Sequence, residues 1–152
     1  MKKPITHILF SQLVGLLVFI VLLLVANYIN EFISSNISDL ILGFLNSNVG
    51  LLVVISLIFL IAEIFFALDF PFNLVGPLFN AVSSVLLVGF LVDLLLLSNV
   101  LIKQDVFSFV KNFEGLISLF VFFIVLIVGY VKIFYEVKNN LSSMKHGRKK
   151  KN

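Results

Sequence analysis

The chain has 152 residues, of which 61% are hydrophobic and only 12% charged, and it carries a net charge of +3. A soluble domain of this size could not bury so much apolar surface in one core, whereas in a bilayer the lipid itself is the solvent. Cysteine is absent, which excludes disulfides, thiol nucleophiles and cysteine metal sites, and the two histidines, His7 and His146, lie near opposite ends of the chain. No metal site and no cofactor are expected.

Four apolar runs, at about residues 8–28, 50–68, 78–97 and 116–135, dominate the sequence. Each is close to the roughly 20 residues that a helix needs to cross a hydrocarbon core about 30 Å thick. The expected fold is all-α: an integral-membrane four-helix transmembrane bundle in one domain, residues 1–145, followed by a disordered basic tail, 146–152. The first run follows Met1-Lys2-Lys3, as a signal peptide would, but it is longer than an ordinary signal core. No A-x-A-like site follows it either, so a retained first helix is expected.

The first connection, about residues 29–49, contains Ser34-Ser35-Asn36, which offers a helix cap. Ile37, Leu40, Ile41, Phe44 and Leu45 then recur at helical spacing. This pattern predicts a short amphipathic helix over 37–45, lying in the membrane interface, with a frayed extension of the neighbouring spans as the alternative. The second connection, Asp69-Phe70-Pro71-Phe72-Asn73-Leu74-Val75-Gly76-Pro77, breaks one helix and starts the next. A tight, lipid-facing turn is expected there, and a re-entrant loop is the sharper alternative. Beyond the fourth run, Phe134, Val137, Leu141 and Met144 keep helical spacing, so the helix should continue past the span.

Lys2 and Lys3 precede the first span. Lys138, Lys145, Arg148, Lys149, Lys150 and Lys151 follow the last with no acid among them, while the first connection has Glu31 and Asp39 and no base. The positive-inside rule then places both termini in the cytoplasm of a cell-membrane protein. Lys103 and Lys111 in the third connection run against this assignment and are offset by Asp105 and Glu114. Lys145, Arg148, Lys149, Lys150 and Lys151 are expected to contact anionic lipid head groups, at about 1 kcal/mol per basic residue near the surface. Without an aromatic platform, nucleic acid is not an expected partner.

Two acids fall inside the apolar runs. Glu63 shares a face with Ser56, Leu60 and Ala67, and is expected to point into the bundle, because an ionisable group at a helix centre costs roughly 2.5–3.5 kcal/mol on insertion scales. Asp93 lies on a stripe with Val82, Leu86 and Gly89, a packing face, with Lys103 as its expected partner. Asn80 sits apart from that stripe with Ser83 and Ser84. Glu63 and Asp93 belong to opposite halves of the bilayer, which argues against a carboxylate dyad and acid–base catalysis. No phosphate loop, zinc-binding helix or nucleophile elbow occurs, so no enzyme activity is expected. Asn36-Ile37-Ser38 and Asn140-Leu141-Ser142 match the glycosylation pattern, which is common by chance.

A basic tail after a few apolar spans resembles phage holins in outline. The resemblance is one of architecture and carries no residue with it; it implies an oligomeric pore. From the residues themselves, the leading expectation is a non-catalytic accessory or interaction subunit of a membrane complex, partnered by other membrane subunits or by itself. The alternative is an oligomeric pore or small transporter that uses Glu63 or Asp93.

Overall fold

The structure, a computed structural model, describes the backbone of residues 4–33 and 35–149 and the side chains through Asn139. Four α-helices follow one another: α1 (Ile5–Phe32), α2 (Asn36–Ala67), α3 (Gly76–Ile102) and α4 (Ser108–Lys149), with a short 3-10 turn (Phe72–Val75) leading into α3. All four are long and apolar enough to cross a membrane.

Local chemistry sets the ends of these helices. Pro4 precedes α1 with φ −65° and ψ 142°, and its carbonyl accepts from the N–H groups of His7 and Ile8. Ser35 caps α2 in a reciprocal box. Its hydroxyl accepts from the Ser38 N–H at 3.1 Å, and the Ser38 hydroxyl accepts from the Ser35 N–H at 3.0 Å. Asp39, in the first turn, adds a negative charge at the positive end of the helix dipole. Pro77 occupies the first turn of α3, where its missing N–H costs nothing. Lys103 ends α3 in the left-handed conformation, φ 54°.

The connection into α4 is organised by one side chain. Asn99 Oδ1 accepts from the N–H groups of Val106 (3.1 Å) and Phe107 (2.9 Å), while its amide donates to Asp105 Oδ1 and Ser108 Oγ, both at 3.3 Å. The Ser108 hydroxyl in turn donates to Asp105.

The helices stand antiparallel to their chain neighbours, in an open row. α1 packs on α2 alone, α2 on α1 and α3, and α3 on α2 and α4; α1 comes close to neither α3 nor α4, and α2 and α4 make no close backbone approach. The four-helix arrangement expected is thus, among the described residues, an open one that does not close on itself. In water the apolar faces would close on one another, but lipid tails are as apolar as leucine and supply no such drive. The accessible surface is 10816 Å², against about 7,800 Å² for a compact soluble protein of this mass.

The small interior lies along α3. Gly76, Pro77, Ala81, Ser83, Phe90 and Val92 are buried there, against Ile55, Leu60 and Ala62 of α2 and Ile133 of α4. Ile8 is the buried residue of α1. The Phe65 and Phe79 rings stack in parallel at 5.6 Å. Lys132 of α4 lies over the Phe66 ring of α2 at 5.6 Å.

A correction concerns residues 37–45. They form the first turns of α2, which runs without a break through Asn46-Ser47-Asn48 to Ala67, so no separate interfacial helix exists. The polar residues that suggested a boundary are absorbed into the helix: Asn48 donates to the Phe44 carbonyl at 2.9 Å, and Asn46 pairs with Asn27 of α1. Of the 69–77 segment, residues 69–75 form a tight turn and 76–77 already belong to α3; Phe70 and Phe72 are exposed and Asn73 is buried. α4 continues past its span to Lys149, into the segment 146–152 expected to be a disordered tail.

Candidate functional site: a polar layer near the loop end

One end of the row carries the start of α1, the 69–75 turn and the C-terminal part of α4, and the other carries the α1–α2 and α3–α4 connections. Hydrophobic residues surround most of the row, so the polar groups inside the spans stand out. Five of them, Asn27, Asn46, Asp93, Lys111 and Glu114, gather near one level, toward the loop end.

Asp93 of α3 faces Lys111 of α4. The Lys111 ammonium donates to Asp93 Oδ1 at 3.1 Å and pairs with Glu114 Oε2 at 2.9 Å, one turn further along α4. Glu114 reaches Gly89, the small residue one turn before Asp93, and a β-carbon on that glycine would lie 3.4 Å from the carboxylate. The packing face inferred for Gly89 and Asp93 is therefore the α3–α4 contact. The partner differs from the one expected, since Lys103 ends α3 well above Asp93 and Lys111 takes the role. The three side chains are 43%, 50% and 28% exposed, so the cluster opens sideways from the row.

On the α1–α2 side, Asn27 and Asn46 exchange amide hydrogen bonds at 3.1 and 2.7 Å. One turn beyond, Asn30 donates to Asp39 at 2.6 Å. The Phe44 and Phe90 rings, 5.5 Å apart, bridge α2 and α3 at this height. Asn27, Asn46, Asp93 and Lys111 thus lie within about one helical turn of a common level, one from each helix, with Glu114 just below. Beyond it, Leu96, Asn99, Val100, Lys103, Gln104, Asp105 and Ser108 line a shallow, open depression.

The other expected site residues lie elsewhere. Glu63 is exposed and makes no hydrogen bond or ion pair with the described residues. It sits one turn from the end of α2 beside the buried Ala62, which turns to α3, so the expectation that it faces the helix interior is overturned. Ser56, two turns earlier, does meet a neighbour: Gln12 of α1 donates to its carbonyl at 3.4 Å and to its hydroxyl at 3.5 Å. Asn80, Ser83 and Ser84 form a local group. The Ser84 hydroxyl donates to the Asn80 carbonyl at 2.7 Å, and the Ser83 hydroxyl to the Phe79 and Asn80 carbonyls, each at 3.0 Å. Such bonds satisfy serines within their own helix and leave no polar path. Of the basic tail, the side chains of Lys145, Arg148 and Lys149, and all of Lys150 and Lys151, lie outside what the structure describes.

Lys111 and Glu114 were missed as site residues because each was counted as loop charge. Counting antiparallel from the 103–107 connection places Asp93 opposite Ile117, about six residues from Lys111, so spacing alone did not reveal the pair. Asn27 and Asn46 gave no signal either, since only the continuity of α2 brings them level. Among the described residues no three histidine, aspartate or glutamate side chains group as a metal site would need. Comparison with known proteins finds no match: no family model, no curated protein and no solved structure.

Proposed function

We propose that this chain is a non-catalytic subunit of a membrane assembly, an interaction partner whose helices complete their packing against another membrane protein or a second copy. The observation that supports this is the open row: α1 has a neighbour on one side only, and α4 likewise. Large side chains on their outer faces, such as Phe10, Leu17, Leu24, Phe120 and Ile127, are more than half exposed. Small residues and polar groups drive helix association in lipid, and the sideways opening of the Asp93–Lys111–Glu114 cluster offers such groups to a neighbour. The cluster carries two acids against one base, so a partner bearing a cation at that level suits it.

In this reading both termini are cytoplasmic and the protein resides in the cell membrane. α4 continues as a helix on the cytoplasmic side, and its basic end contacts anionic lipid. The pore alternative has less support, because Glu63 faces outward alone and the α3 serines are tied to their own backbone.

Purification from native membranes in mild detergent tests the proposal. A stable complex with a second membrane protein, or a defined homo-oligomer without conductance, is the expected result. A chain that purifies alone as a monomer overturns it, and ion conductance by the chain alone in liposomes favours the pore instead.

A further inference from the structure

The four helices are longer than a hydrocarbon core, so their ends do not by themselves say where the lipid begins. Two observations do. The first is the start of α4. Ser108 lies beside Asn99, nearly a turn short of the end of α3, and the 103–107 connection folds back beside the last turns of α3. The irregular backbone of that connection and of the start of α4, only part of which is bonded by Asn99 and the Phe107 carbonyl, cannot stand in hydrocarbon, where each unsatisfied group costs several kcal/mol. The hydrocarbon must therefore end below Ser108, although α1, α2 and α3 continue upward.

The second is a match of lengths. From Asn27 back to Ile5 on α1 is about 33 Å at 1.5 Å per residue, from Asn46 to Ala67 on α2 about 32 Å, and from Lys111 to Lys132 on α4 about 32 Å. Each equals one hydrocarbon thickness. On α4, Lys111 and Lys132 bracket a stretch in which Glu114 is the one charged residue, and Glu114 is paired with Lys111.

We propose that the polar layer of Asn27, Asn46, Asp93 and Lys111 marks the hydrocarbon boundary at the loop end, and that the projecting turns of α1, α2 and α3 form a crown that rises through the lipid head-group layer. The crown comprises the turns of α1 after Asn27, of α2 before Asn46 and of α3 after Asp93. Tyr28, Phe32, Ile37 and Val100 on it are each more than half exposed. Its occupant is the head-group layer of that leaflet, where aromatic rings such as Tyr28 and Phe32, themselves in edge contact at 5.1 Å, are favoured. This assignment is independent of whether the chain has a protein partner. It also returns residues 37–45 to interfacial depth, upright in α2.

The absence of cysteine makes the test direct. Single cysteines are placed at Phe32, Ile37 and Val100 on the crown, and at Leu17, Val54 and Phe123 below the layer. Each full-length variant is reconstituted in phosphatidylcholine vesicles, and nitroxide depth is read from the ratio of oxygen to water-soluble nickel-complex accessibility. All six positions are exposed, so each substitution removes at most a surface contact, and three positions per level make the result independent of any one variant. Crown labels are expected outside the hydrocarbon, Phe32 at head-group depth and Ile37 and Val100 at or beyond its outer edge, with the three lower labels in the hydrocarbon. Crown labels at hydrocarbon depth overturn the proposal, because the polar layer would then be buried in lipid.

Discussion

Gly129 of α4 lies against Pro77 of α3 so closely that a β-carbon added to the glycine would stand 2.8 Å from the proline Cβ and 3.3 Å from its Cα. The contact locks the terminal ends of α3 and α4 together, as the Asp93–Lys111 pair does nearer the loop end. A proline in its first helical turn cannot yield as a flexible side chain would. Gly129→Ala should therefore lower stability by about 1–3 kcal/mol, the usual cost of overpacking. Gly15→Ala, with nothing within 4 Å of the new carbon and a better helix former in the middle of α1, should keep or raise stability. Thermal unfolding in detergent, followed by circular dichroism, checks both.

Lys111 serves two carboxylates, so the two ends of the ion cluster are not equivalent. Lys111→Gln leaves Asp93 and Glu114 facing each other without a cation, whereas Asp93→Asn leaves Lys111 still paired with Glu114. The lysine variant should be the less stable of the two at neutral pH. Equal melting temperatures for the two variants would show that the cluster is not coupled.

Asn27 and Asn46 give α1 its reciprocal side-chain tie to α2. Asn46→Leu should cost more than the double replacement Asn27→Leu/Asn46→Leu, because the single change strands an amide that the double change removes. A coupling energy of about 0.6 kcal/mol, and at most about 1.7, is expected from a double-mutant cycle in detergent or bicelles.

Glu63→Gln and Glu63→Leu should both fold and fall within about 0.5 kcal/mol of the parent, because the side chain is exposed and bonds to no described residue. Loss of helix association in the leucine variant alone, seen by crosslinking α2 to α3, would restore an inward-facing role for this acid.

Asn73 is 3% exposed in the turn before α3, and its Oδ1 takes no hydrogen bond from the described residues. Removing a buried group that is only partly satisfied is close to neutral, whereas ionising it is costly. Asn73→Leu should keep or raise the melting temperature, and Asn73→Asp should lower it at neutral pH.

What the sequence determined by itself was composition arranged in order. Four apolar runs of spanning length dictate four helices, because in lipid every backbone group must bond within its own segment. The breaks followed from backbone chemistry local to Ser35, Pro71 and Pro77, and the helical spacing of Phe134, Val137, Leu141 and Met144 carried α4 past its span. Tertiary structure alone decided what those runs do to one another. Nearly uniform Leu, Ile, Val and Phe around α1 and α4 mark no preferred second face, so whether four helices close into a bundle or stand in a row cannot be counted from spacing. The same uniformity left the direction of Glu63 open, and an expectation based on the cost of exposing an acid to lipid chose the wrong side. Asp93 met Lys111 instead of Lys103 because the α3–α4 connection folds back below the end of α3, a height set by the bonds that Asn99 makes to that connection. Residues 37–45 became part of α2 because Asn46 found Asn27 across the helix pair, a partner nineteen positions away that no periodicity reveals.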